Sequence, residues 1–383
     1  VTTPTKAPTR RTGQNAQQQA PVARAFRIGV QSHEEINYDE TRTLGASTID
    51  LPVLNVPPAG FLRNIYLVVE GTTAGNAAAV TFAEDGPFNV IDSITLEDVN
   101  SAPIVGPISG YDLYVINKYG GYRNQDDPKM SPVYSAVTGS GATGGSFAFV
   151  LKIPIELVNR DALGALPNKS GTAMFKVRIR IAPNATVYGT APTAAGSVRV
   201  RMAQVDWWDP DAQDLRGRPL AQNPPAVQTT QYWSKAVFNV NSGAIRQQLE
   251  RVGYLVRNLI FITEDTNSSR LAGDANFPDP FTFQFEANTL LTRNRVVWRH
   301  MIAEDFGYNA AAESAGGRDN GVYPLPFNLD FGLKPGAESR RGYLPTSAAA
   351  RLEVQGNMGG AGTLTVLTND VAPANGDDAQ LTV

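Results

Sequence analysis

At 383 residues, with 42 % apolar residues, 35 Gly and 26 Pro, the chain is long enough for two globular units and too often punctuated for a helical bundle. It has no cysteine and only two histidines, His33 and His300, which removes a disulfide framework, a thiolate nucleophile and any zinc site built on sulfur. The net charge of −3 is uneven: residues 1–33 carry Lys6, Arg10, Arg11, Arg24 and Arg27 with no acid, so the rest of the chain sums to −8.

Residues 1–24 are rich in Gln, Ala, Thr and Pro and lack the apolar stretch of a secretory signal. They read as a flexible basic arm able to meet anionic lipid or nucleic acid, with a solvated tail as the plain alternative. No run approaches the roughly 18 apolar residues of a membrane span. Strands are predicted at 61–69 and 88–96. Ser109 caps a short helix to Lys118, with Asp112 three residues after the cap and Gly120–Gly121 as its stop. Period two is cleanest in Phe147, Phe149, Leu151, Ile153 and Ile155. Next, Phe175, Val177, Ile179 and Ile181 face one way and Lys176, Arg178 and Arg180 the other, with Val198, Val200 and Met202 as the expected partner strand. The Gly/Thr/Ala-rich stretches 136–146 and 184–197 are either outward surface loops or tolerated connections. Residues 207–228, rich in Pro, Asp and Gln, read as a linker. Beyond it, strands are predicted at 235–240, 255–263, 281–286, 350–355 and 363–368. Two further helices are expected, Ala244 to Val252 on the spacing of Ile245, Leu249 and Val252, and one around Val297, Met301 and Ile302.

An internal repeat decides the architecture. GFLRNIYLVVEG, residues 60–71, resembles GYLVRNLIFITED, residues 253–265, with one insertion, so Arg63–Asn64 match Arg257–Asn258, 194 residues on. Pro87–Phe88 match Pro280–Phe281, Gly121–Tyr122 match Gly307–Tyr308, and Ile153–Pro154–Ile155 match Leu325–Pro326–Phe327. Gly164, Leu166 and Pro167 recur as Gly342, Leu344 and Pro345. Matches in the same order imply a duplicated unit, sized for an eight-stranded jelly roll. The expected fold is all-β: two tandem eight-stranded jelly rolls, a double jelly roll with a few short helices and a flexible basic N-terminal arm. The expected division is an arm at 1–24, a first roll at 25–206, a linker at 207–228, a second roll at 229–372 and a tail at 373–383.

Catalytic sets are missing. His33 and His300 stand in no metal-ligand spacing, and no Gly-x-Ser-x-Gly turn or phosphate-cradling loop occurs. Glu84–Asp85, Glu97–Asp98, Asp126–Asp127 and Glu264–Asp265 fall at strand ends, where turn-forming acids lie. Asp209, Asp211 and Asp214 lack the register of a calcium loop. Trp207, Trp208, Trp233 and Trp298 are expected to pin the linker and the joint between units. No catalytic, metal or cofactor site is expected, and the chain is not expected to be an enzyme.

TFAEDGPFNVIDSITLEDVNSAPI, residues 81–104, SGYDLYVINKYGG, residues 109–121, and VYPLPFNLDFG, residues 322–332, resemble segments of tectivirus-like major capsid proteins of internal-membrane bacteriophages. The resemblance covers about residues 25–372. It implies a viral structural protein of the virion shell that forms homotrimeric, pseudo-hexagonal capsomers, with neighbouring capsomers, penton and minor capsid proteins as partners. It also implies that the arm, through Lys6, Arg10, Arg11, Arg24 and Arg27, meets the internal viral membrane, with no specific nucleic acid sequence recognised. The alternative is a trimeric phage spike or receptor-binding β-sandwich protein.

Overall fold

The computed structural model describes residues 22–73, 76–122, 127–225, 229–306, 319–328, 338, 340–346 and 351–372. The first half builds strands β1 (Ser32–Thr43), β2 (Phe61–Thr72), β3 (Ile91–Glu97), β4 (Pro103–Ile108), β5 (Phe147–Pro154), β6 (Lys176–Ile181) and β7 (Ser197–Trp207), with helix α1 (Gly110–Tyr119) between β4 and β5. One sheet runs β1-β7-β2-β5. The facing sheet starts at the short pieces Ile49–Asp50 and Leu54–Asn55 and continues β6-β3-β4.

The second half repeats the plan with β8 (Thr230–Val240), β9 (Gly243–Leu249), β10 (Leu255–Asp265), β11 (Phe281–Phe285), β12 (Asn288–Arg293), helix α2 (Arg295–Phe306), β13 (Val322–Pro326), β14 (Leu352–Met358) and β15 (Gly362–Ala372). Its sheets run β8-β15-β10-β13 and β9-β14-β11-β12, strand for strand the order of the first roll. Each is a sandwich of two four-stranded antiparallel sheets, the jelly-roll arrangement. β4 and β8 meet in parallel at Val105 and Trp233, which fuses the inner sheets of the two rolls into one.

The repeat is visible in the register. In the first roll Asn64 on β2 is flanked by Val205 of β7 and Pro154 of β5; in the second, Asn258 on β10 is flanked by Asn369 of β15 and Pro326 of β13. One residue earlier both ladders bulge, passing over Arg63 and Arg257, and resume at Asp206–Leu62 and Asp370–Val256. Leu166–Pro167 pair with Leu62 and Phe61 as Leu344–Pro345 pair with Val256 and Leu255. Pro87 and Pro280 each follow a cis peptide bond. Gly307–Tyr308 lie outside the described residues.

The alternation expected in β5 and β6 holds. Phe147, Phe149, Leu151, Ile153, Val177, Ile179 and Ile181 are buried, and Arg178 and Arg180 are exposed. Helix α1 starts at a capping box: Asp112 N–H donates to Ser109 Oγ (3.1 Å) and Ser109 N–H to Asp112 Oδ2 (2.8 Å).

Three expectations fail. Residues 244–252 are not helical but hold β9: Ile245 and Leu249, four apart, fit period two as well as a helical turn, and the ladder to β14 takes the segment. β6 and β7 are not partners; β6 pairs with β3 and β7 with β1 and β2, because the connection between them crosses from one sheet to the other. The segment at 88–96 opens with a 3-10 turn, Phe88–Val90, before β3 begins. α2 forms where expected, but its buried anchor is Trp298, while Val297 is exposed. Within the two Gly-rich stretches, Gly139–Gly141 and Tyr188–Thr190 form short strands on either side of Asn76–Phe82, a small third sheet on the first roll.

Candidate functional site

Among the described residues, polar chemistry is densest at the joint between the rolls. α1 is its centre. Tyr111, Leu113, Tyr114, Val115, Ile116 and Tyr119 are all buried, and the core of the first roll continues through them to Trp233, Ile260, Ile262 and Leu367 of the second. Each large apolar side chain buried there contributes about 1.5–3 kcal/mol.

Polar groups fix the angle of the joint. Lys235 Nζ donates to Asp112 Oδ2 (2.7 Å), so the carboxylate that caps α1 also holds β8. Trp233 Nε1 donates to Tyr122 Oη (2.6 Å), which donates to Gln231 Oε1 (2.7 Å); Gln231 Nε2 donates to the Ile155 carbonyl (2.8 Å). Asn258 Nδ2 donates to the Tyr119 carbonyl at the end of α1 (2.9 Å). At one side Arg270, almost wholly buried, pairs with Asp85 (3.1 Å), and Glu84 accepts from Leu271 N–H (2.6 Å). At the other, Arg257 is wholly buried, forked onto Glu338 (2.8 and 3.1 Å), and donates to the Gly120 carbonyl (2.6 Å). Arg257 is the repeat counterpart of Arg63, which stays within the first roll, paired with Glu156 (2.9 Å) and stacked 3.7 Å over the Trp207 ring.

Beneath α1 lies a third cluster. Lys118 Nζ contacts Asp319 Oδ2 and stands 3.2 Å from Asp127 Oδ2, and Tyr119 Oη donates to Asp319 (3.1 Å). Burial, the largest single influence, pushes the Asp319 carboxyl up, but the charge and hydrogen bond of Lys118 together with the charges of Lys129 and Arg270 leave it below the ordinary carboxylate value. Lys118, Asp319, Arg257 and Arg270 carry no motif in the sequence. The one available signal is Arg257 within the repeat; Glu84–Asp85 lie in a turn after a strand, as read there, and in addition receive the second roll.

Of the five basic residues assigned to the arm, Lys6, Arg10 and Arg11 lie outside the described residues. Arg24 is tied to the body: it bridges Leu220, accepts from Ala221 N–H (2.9 Å) and pairs with Asp214 (3.2 Å). Arg27 donates to the Asn159 carbonyl (3.1 Å), and its guanidinium, like that of Arg63, lies over the Trp207 ring, at 3.8 Å. The tryptophans divide. Trp207 and Trp233 are buried at the base and the joint, Trp208 is half exposed against His33, and Trp298 belongs to the core of the second roll. His300 is exposed on α2. Among the described residues no group of three or more His, Asp or Glu side chains could hold a metal ion, and no helix is long and apolar enough to cross a membrane.

Two jelly rolls in tandem, strand-matched and sharing one sheet, define the double jelly-roll class of fold. Among solved structures, the chain is similar to one in the atomic structure of Sulfolobus Turreted Icosahedral Virus, with TM-score 0.61, 14 % identity, and 92 % of this chain and 94 % of that one covered. It is similar to the major capsid protein P2 from bacteriophage PM2 (TM-score 0.52, 12 % identity, 90 % and 100 % covered) and to a chain of the PBCV-1 virus capsid (0.58, 11 %, 94 % and 95 %). At these identities the likeness is one of fold. No protein-family model and no curated protein matches the sequence.

Proposed function

We propose that this chain is the major capsid protein of an icosahedral virus, a shell brick of the virion and not an enzyme. The observation that carries the reading is the fold match over at least nine-tenths of the chain to structures named as parts of viruses, two of them as capsid proteins or capsids. The joint fits such a role, since it is built to hold two sandwiches rigidly side by side.

The duplication supports a homotrimer. β4 of the first roll abuts β8 of the second, while β1 of the first roll and β12 of the second, the counterparts of those two edges, end their sheets without a further strand among the described residues. A second copy added by the same step sets its β1 against β12, where Ile36 and Leu290 are exposed, and three copies close a ring of six rolls through heterologous contacts. Neighbouring capsomers, penton and minor capsid proteins are the expected further partners. An internal membrane is the proposed partner of the basic leader through Lys6, Arg10 and Arg11, each cation contributing about 1 kcal/mol near an anionic surface, while Arg24 and Arg27 are held by the body of the chain.

Light scattering behind size exclusion tests the core of this reading. A native mass near three times the 41.1 kDa chain is expected. A monomer that persists across protein concentration and salt overturns the trimer.

A further inference from the structure

We propose that Lys118 and Asp319 condense to an intramolecular isopeptide bond, Nζ to Cγ, which ties the two rolls covalently across their joint. The proposal stands apart from the capsid reading. Lys118 sits in the last turn of α1, in the first roll; Asp319 lies three residues before the start of β13, in the second. Their side chains are wholly and almost wholly buried and touch each other. Asp127, also buried, places its Oδ2 3.2 Å from the same Nζ and receives the Lys129 N–H on its other oxygen (2.9 Å). The surroundings are aromatic: Tyr119 packs edge-on against Phe306 and Tyr114 stacks on Phe88, with the Tyr119 hydroxyl on Asp319 and the Tyr114 hydroxyl 3.4 Å from both carboxylates.

A plain ion pair is a costly thing to bury, because desolvation offsets most of the attraction. Here one ammonium faces two carboxyl groups, with Lys129 and Arg270 also acting on Asp319. The same dry setting favours amide formation. A lysine amine shielded from water is a nucleophile once neutral, and fixed contact with its target replaces a bimolecular encounter. Within the contact, a proton passes from Nζ to the Asp319 carboxylate, leaving a neutral amine and a carboxylic acid. The Nζ lone pair bonds to Cγ; Asp127 accepts a proton from Nζ and delivers it to the departing hydroxyl; the Cγ–O bond breaks and one water leaves. Asp127 returns to its starting state, and no oxidant or co-reactant is consumed. Lys118 and Asp319 are the reacting residues and Asp127 the proton relay.

Intact mass spectrometry of the purified, denatured full chain reads the bond directly. The expected mass is one water below that of the sequence. Trypsin should then fail to cut after Lys118 and should release a branched fragment joining it to the peptide that begins at Asp319. Lys118→Ala and Asp319→Ala are expected to restore the full mass, and Asp127→Asn to slow or abolish linkage while both reacting residues remain. A wild-type chain of full mass, cleaved after Lys118, overturns the proposal; so does a lost water that maps to any other residue. These two readings need no variant to fold.

Discussion

Arg257 and Arg63 occupy the same position of the repeated unit, at the matched bulge, yet truncating them should cost different amounts. Arg257→Ala removes a wholly buried guanidinium from Glu338 and from the Gly120 carbonyl at the end of α1. It leaves a buried carboxylate without its cation, a change that costs about 3–5 kcal/mol. Arg63→Ala removes a partly exposed guanidinium from Glu156, which still accepts from Trp207 Nε1 (2.8 Å). Its loss is about 1.5–3 kcal/mol, that of a charged hydrogen bond. At roughly 2–4 °C per kcal/mol for units of this size, the thermal midpoint of Arg257→Ala should fall by about 6–20 °C. Calorimetry of both variants and of Arg257→Met with Glu338→Leu supplies the comparison. The double variant should recover most of the loss, since replacing both partners leaves no unpaired charge. Equal losses for the two alanine variants, or no recovery in the double one, would refute the assignment of Arg257 as the residue that locks the joint.

The repeated aspartates one step beyond each bulge should impose a pH dependence. Burial is the largest cause of Asp206 being raised to about 7 and of Asp370 being raised to about 6. A folded-state value above the unfolded one means that stability is full below about pH 4 and is lost as pH rises through about 7, by up to about 4 kcal/mol for Asp206. Asp206→Asn should flatten urea midpoints across that window and raise the midpoint at about pH 8; a slope unchanged in the variant would exclude Asp206 as its source. Gly110→Ala tests how tightly α1 is seated. Helix propensity alone predicts a gain of about 1 kcal/mol, but a Cβ there would stand 2.1 Å from the Phe88 carbonyl, so a net loss of about 1–3 kcal/mol is expected by thermal melting.

The sequence carries the repeated unit because the repeat is made by backbone demands: a proline that ends β5 and β13 beside the same asparagine, a bulge at the same arginine, and apolar residues at period two. It carries α1 as well, since the Ser109–Asp112 capping box is a local signal with a local cause. β9 is not legible locally because residues four apart satisfy both periodicities, and only the distant β14 decides between them. β6 and β7 differ from a sequence-neighbour pair for the opposite reason: neighbours in sequence are not neighbours in space where a jelly roll sends successive strands to facing sheets. The joint is the least legible part. Nothing local separates Arg63 from Arg257, or marks Lys118 among the charged residues of its helix. What separates them is which surface the other roll covers. Duplication gave both halves the same arginine; fusion into one sheet at Val105 and Trp233 buried only one of them. A charge that in one copy fastens only its own roll thereby becomes, in the other, the group on which the relative placement of the two rolls depends.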